Sequence, residues 1–327
     1  MAASAISRGI GRSIDRVSSP PRPTRTEPSD RPAYFGTLGC ATAIIAITAA
    51  LFYILWVDSR LSRQQFGWHF LTAQNWDPVA GDFGALPFIY GTVVTSTLAL
   101  LIAVPMGVGA AIFLAELAPR RISNALTFFI ELLAAVPSVI FGLLGVFVLV
   151  SLLRGVVPSI KDVLGLLPPF QGPFYGVSML SAGVVLSIMI VPFIISISRE
   201  VLLAVPVSQR EASAAVGATR WETTWNVVVP YARTGIFGSV FLALARALGE
   251  TMAVTMVIGN SPQIKASLLA PAYSIAAVIA NEFTEATGDL YLSALVELGL
   301  VLFAITFVIN GFARLLVWSV ASSEAPY

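Results

Sequence analysis

The 327 residues carry a formal net charge of +1, with apolar side chains at 57% of positions and charged ones at only 11%. A water-soluble globule keeps about a quarter of its residues charged, so this composition excludes one and makes lipid the main solvent. The single cysteine, Cys40, cannot close an intrachain disulfide or build a thiolate metal site, and no metal site is expected.

Residues 1–33 place Arg8, Arg12, Arg16, Arg22, Arg25 and Arg31 among serines and prolines. No apolar run precedes Phe35, so the segment reads as a disordered basic tail and not as a cleaved signal peptide. Six apolar runs follow, each of the length a helix needs to cross about 30 Å of hydrocarbon. They are Phe35 to Val57, Phe88 to Leu114, Ala125 to Leu153, Gly176 to Ile197, Ile236 to Ile258 and Leu290 to Val320. The chain therefore reads as an all-α membrane protein, with a transmembrane domain over 34–320 and a short tail over 321–327.

Lys and Arg collect on the cytoplasmic side of a membrane. With the tail inside, its six arginines join Arg120, Arg121, Arg199, Arg210, Arg220, Arg233 and Arg314, which is thirteen. The outer loops hold five, Arg60, Arg63, Arg154, Lys161 and Lys265, and Arg246 lies within a span. Both termini are expected in the cytoplasm of a multi-pass protein of the bacterial cell membrane. Pro105, Pro137 and Pro192 interrupt spans, where packed neighbours must satisfy the freed backbone groups. The outer loops carry Trp68 and Trp76, residues that anchor helices at interfaces or receive an external partner.

The longest cytoplasmic connection contains VSQREASAAVGATRWETTWNVVVPYAR from Val207 onward. Ser208 stands three residues before Glu211, and Thr219 three before Glu222, a spacing that predicts two capping boxes and two helix starts. The first helix is expected from Gln209 to Val216, stopping at Gly217, and the second from Arg220 until Pro230 ends it.

Glu211, Ala212, Gly217 and Pro230 keep the spacing of the EAA loop of permease subunits of binding-protein-dependent ABC importers, which this segment resembles. Ser213 replaces the second Ala of the family pattern, and Val227 and Val229 replace its Ile and Leu. The resemblance implies a type I, MetI-like permease fold. It also implies a coupling region, about 207–230, in which Ser208, Arg210, Glu211, Ala212, Ser213, Gly217 and Pro230 dock to a separate ATPase. On the residues alone, the segment could equally be a capped connection between two spans.

In the fifth run, FGSVFLALARALGETMAVTMVIG, Arg246 and Glu250 stand four residues apart, one helix face on which they can pair. Ionised Arg at membrane depth is costly and belongs in a bundle interior or a water-filled cavity. Its planar fork suits an oxyanion, and Glu250 offers a way to weaken that grip; a buried pair fixing helix register is the plainer reading. Glu131, in the third run, is expected to face inward or to snorkel to the interface.

RALGETMAV resembles the fifth-span motif of phosphate-specific permeases of the PstC type, as do ELLAAVPSVIFGLLG and IAVPMGVGAAIFLAE. The resemblance covers most of the chain beyond residue 85. It implies a phosphate pathway at Arg246, Glu250, Thr251 and Glu131. The implied partners are a homologous PstA-type permease in a heterodimer, two copies of an ATP-binding subunit and an extracytoplasmic phosphate-binding protein. This chain itself is expected to bind no cofactor, with ATP and Mg held by the ATPase subunits. No nucleic-acid partner is expected.

Enzyme readings lack their residues: the one histidine, His69, lies in an outer loop, and no paired Asp falls inside a run. Lys161 and Lys265 both follow isoleucine, so no P-loop exists in this chain and no catalytic site is expected. An ion-coupled secondary transporter would show repeats that this sequence lacks. A permease for sulfate, molybdate or phosphonate stays open, since one Arg and one Glu do not discriminate among oxyanions.

Overall fold

The structure, a computed structural model, describes residues 31–322. The expectations for residues 1–30 and for 323–327, most of the two tails, lie outside the described residues. The chain divides into two compact units between Ile54 and Leu55. Helix α1, Arg31–Asp58, makes up the described part of the first unit and runs on into the second.

In the second unit a short helix α2, Arg60–Phe66, is tied to the last long helix α14, Asp289–Ser322. The Ser62 amide donates to Ser293 Oγ at 3.2 Å, and Ser293 Oγ donates to the Asp58 carbonyl at 2.8 Å. Helix α3, His69–Thr72, and a two-residue hairpin, β1 Trp76–Asp77 with β2 Asp82–Phe83, follow. The Trp76 ring packs edge-on against Phe83 and Phe88, and its indole donates to Glu282 at 2.9 Å. Phe83 and Phe88 are buried in this aromatic cluster.

The centre of the fold is the packing of α4, Leu86–Ile112, against α8, Met179–Leu203. Ala99, Ala103, Ala182, Leu186 and Ile190 form a fully buried seam between them. Small residues let the two backbones approach, as van der Waals packing in lipid requires. A Cβ on Gly107 would sit 2.8 Å from Ile194 Cγ2, and one on Gly91 would sit 2.2 Å from the Tyr273 carbonyl oxygen. The second partner is backbone and cannot swing aside, so Gly91→Ala is expected to cost about 2 kcal/mol by overpacking. A lowered thermal unfolding midpoint of the purified protein checks it.

Among the described residues, six helices are long and apolar enough to cross a membrane: Pro32–Asp58, Leu86–Leu117, Ser138–Val163, Met179–Leu203, Arg220–Leu248 and Asp289–Leu315. Pro105 and Pro192 lie inside continuous helices, whereas Pro137 separates two. Two of the six expected spans need correction.

The expected span Ala125 to Leu153 is divided: α5, Arg120–Ala134, ends before Ala135–Pro137, and the membrane-length helix begins at Ser138. Pro137 has no N–H and pushes Val136 out of helical backbone. The new helix runs as α6, Ser138–Leu144, a π-turn, Gly145–Leu149, and α7, Val150–Leu164. Arg154 and Lys161, assigned above to a loop, are therefore helical and donate to the Tyr175 and Gly172 carbonyls.

The expected span Ile236 to Ile258 begins earlier and breaks before its end. A helical run starts with α10, Arg220–Thr223, passes through a π-turn, Thr224–Val228, and continues as α11, Val229–Leu248. After Gly249–Thr251 the chain resumes as α12, Met252–Val257. Pro230, expected to end a helix, stands instead in the first turn of α11. There the Val229 amide bonds back to Thr224 across the π-turn, and a proline in a first turn needs no donor of its own.

Candidate translocation and coupling sites

Arg246 occupies the last turn of α11, where the carbonyl end of the helix dipole favours a cation. Its side chain is exposed on the surface of this chain, and its guanidinium carbon lies 5.7 Å from the ring centroid of Phe193, near the middle of α8. The expected pair with Glu250 is not formed. The helix stops at Leu248, so the two residues no longer share a helical face, and no ion pair joins them.

Glu250 turns the other way. Its Oε1 accepts the Ala253 amide at 3.2 Å and thereby caps α12. Thr251 contributes its carbonyl to Thr255 Oγ1 at 2.7 Å. The break is held in place by α12, whose Ala253, Val254 and Val257 are buried in the α4–α8 core. A Cβ on Gly142 would lie 2.5 Å from Met256 Sδ, so α6 passes unusually close to α12. The Val257 carbonyl accepts the Ser178 amide at 2.9 Å at the start of α8, which ties the far end of the broken helix.

Glu131 does not join this group. It lies on α5, outside the membrane-length helices, is exposed, and forms no ion pair among the described residues. The expectation of an inward-facing carboxylate within the third span is thereby corrected.

At the other end of α8 the chain turns into α9, Val207–Ala215. The expected capping box of Ser208 with Glu211 is absent: the helix starts earlier, with Pro206 as N-cap and no side-chain cap. The fixed φ of proline starts the helix here, which leaves Ser208 in its first turn. The second box is present, for Thr219 Oγ1 accepts the Glu222 amide and Glu222 Oε2 accepts the Thr219 amide. Thr219→Ala is expected to destabilise the start of α10 by about 1 kcal/mol. Faster amide hydrogen exchange over residues 220–223 is the corresponding readout.

Gly217, at φ 92°, ends α9. Its amide donates to Ala214 and that of Ala218 to Ser213, the two bonds that close a Schellman turn. Ser213 Oγ lies 3.0 Å from Thr223 Oγ1, which locks α9 against α10. Ser208, Glu211 and Ala212 face outward, with apolar Val207 and Val216 also exposed.

Arg210 faces the protein instead. It forks onto Glu116, with Nη2 at 2.7 Å from Oε1 and Nε at 3.4 Å from Oε2. It also donates to the Leu202 carbonyl at 2.8 Å and to that of Val205. One guanidinium thus fastens α9 to the last turn of α8 and to the π-turn Phe113–Leu117 that closes α4. Glu116 escaped the sequence reading. The signal was an acidic residue at the end of a span, on the side expected to hold Arg210.

Residues 103–321 match the family model described as binding-protein-dependent transport system inner membrane component. A phosphate transport system permease protein PstC of Mesorhizobium japonicum is 49% identical over 283 residues, covering 85% of this chain and 86% of that protein. The protein of the same name from Xylella fastidiosa is 47% identical over 293 residues, covering 88% and 90%. Among solved structures, a chain of a bacterial alginate ABC transporter, in complex with an alginate-bound periplasmic protein, superposes with a TM-score of 0.58. It is 15% identical, over 88% of this chain and 96% of that one, and shows the shared fold alone. The chain belongs to the binding-protein-dependent transport system inner membrane components, and among them to the PstC family of permease proteins.

Proposed function

We propose that this chain forms half of the translocation pathway of an ATP-driven importer of inorganic phosphate. The observation that carries the reading is Arg246, an exposed guanidinium at the break of a membrane-length helix, with no counter-ion among the described residues. Facing hydrocarbon, such a cation costs a few kcal/mol. Facing a homologous PstA-type subunit across a watered pathway, it offers a planar fork to a tetrahedral anion. Phosphate as the cargo is supported by the names of the PstC relatives.

Glu250 and Thr251 shape the site without neutralising it. Because Glu250 is engaged in capping α12, Arg246 is free for the anion; release of that cap would let the carboxylate compete and loosen the grip.

The face of α9 carrying Ser208, Glu211 and Ala212 docks to the ATPase, and Arg210 with Glu116 passes its movement to α4 and α8. Two copies of an ATP-binding subunit hold ATP and Mg, while this chain binds no cofactor. An extracytoplasmic phosphate-binding protein delivers the anion at the opposite end. The excess of basic residues on the side of α9 supports a cytoplasmic position for α9 and both termini.

The test is uptake of labelled phosphate by the assembled transporter in proteoliposomes, with sulfate as competitor. Uptake that requires ATP and ignores sulfate is expected. ATP-driven uptake of another oxyanion would replace the cargo, and uptake without ATP would overturn the reading.

A further inference from the structure

Where α9 meets the transmembrane helices, a cleft of about 480 Å³ is lined by three guanidiniums, Arg120, Arg199 and Arg210, against one carboxylate, Glu116. Glu116 is already taken up by Arg210. Arg199 gives Nη1 to the exposed Glu200, while its Nε is shut off from water without any acceptor. The Arg199 side chain is only 14% exposed. An arginine held this deep, with a donor unmet, beside a second uncompensated arginine, is an unfavourable arrangement for a cleft that stays empty of anions.

Two helices also begin at this cleft. Arg120 opens α5 and Val207 opens α9, and neither helix has a side-chain cap or an acidic residue in its first turn. Their free amides add to the positive potential that the arginines create. The site is separate from the pathway at Arg246: its residues come from the π-turn Phe113–Leu117, from Ala118 after it, and from α5, α8 and α9, and none from α11 or α12.

We propose that this cleft binds a phosphate-class anion, either free phosphate on the α9 side of the membrane or the phosphate of an anionic lipid headgroup. Bound there, the anion would bridge α5 and α8 to the helix that docks the ATPase, so its occupancy bears on coupling. The proposal does not depend on which cargo the pathway carries.

Binding is measured on the assembled transporter without ATP, in nanodiscs of phosphatidylcholine alone or with phosphatidylglycerol added. Every protein carries Arg246→Ala, which removes the pathway site. Radiolabelled inorganic phosphate that binds in neutral nanodiscs, and binds about tenfold more weakly in Arg199→Gln or Arg120→Gln, identifies the free anion. Phosphatidylglycerol retained through purification, and lost in the same two variants, identifies the headgroup. Arg121→Gln, a neighbouring exposed position outside the cleft, should change neither. Arg120 is itself exposed, so its replacement leaves the fold intact should Arg199→Gln fail to assemble. If Arg120→Gln and Arg199→Gln proteins that assemble normally bind both probes as the parent does, the proposal is wrong.

Discussion

Replacing Arg246 with alanine is expected to abolish phosphate uptake, lowering its rate about a hundredfold, while the transporter still assembles. The side chain is exposed at the end of α11, 5.7 Å from the ring of Phe193 and without an ion pair among the described residues, so its removal leaves no buried charge unpaired. What disappears is a pair of charge-assisted hydrogen bonds to the anion, each about 1.5–3 kcal/mol. Arg246→Lys should recover only part of the rate, because an ammonium lacks the fork. Rates measured in proteoliposomes, beside ATP hydrolysis by the same preparations, check both statements. If Arg246→Ala transports at the normal rate, Arg246 is not in the pathway.

The second large effect is expected at the junction of α9. Arg210→Ala should leave Glu116 unpaired at a site where that carboxylate is only 11% exposed and should free the Leu202 carbonyl. Fully buried pairs cost 3–5 kcal/mol to break. With Arg210 itself 22% exposed, solvent screening reduces this to about 2 kcal/mol. The expected result is ATP hydrolysis that no longer drives phosphate accumulation, because α9 would move without carrying α4 and α8. Glu116→Ala should do the same. The exchanged pair, Glu116→Arg with Arg210→Glu, should restore part of the coupling if the ion pair is the link. A double variant no better than either single one would assign the link to the bonds that Arg210 makes to the α8 carbonyls.

Much of the architecture was legible because lipid imposes a simple code. A run of about 20 apolar residues must become a helix, and six such runs correspond to the six helices found. The helix stop at Gly217 was equally legible, since a left-handed residue closing a helix is a local matter of backbone sterics. The start of α9 was not. The Ser208–Glu211 spacing pointed to a helix from Gln209, whereas the fixed φ of Pro206 starts it at Val207.

Within the candidate sites, the residue types were readable and their grouping was not. Arg246 and Glu250 suggested a pair because four-residue spacing assumes an unbroken helix. The break at Gly249–Thr251 is maintained by α12 packing against Gly142 and the α4–α8 core, contacts between segments far apart along the chain. Likewise Glu116 and Arg210 lie 94 positions apart and meet only because α4 and α8 end side by side.

The sequence by itself determined the solvent, the helix-forming runs and the chemistry on offer, because hydrophobicity, capping and charge act through neighbours along the chain. Only the tertiary structure decided which charges meet. It freed Arg246 from Glu250, gave Arg210 to Glu116 and set Glu131 outside the spans, because helix packing brings distant side chains together and fixes where helices end.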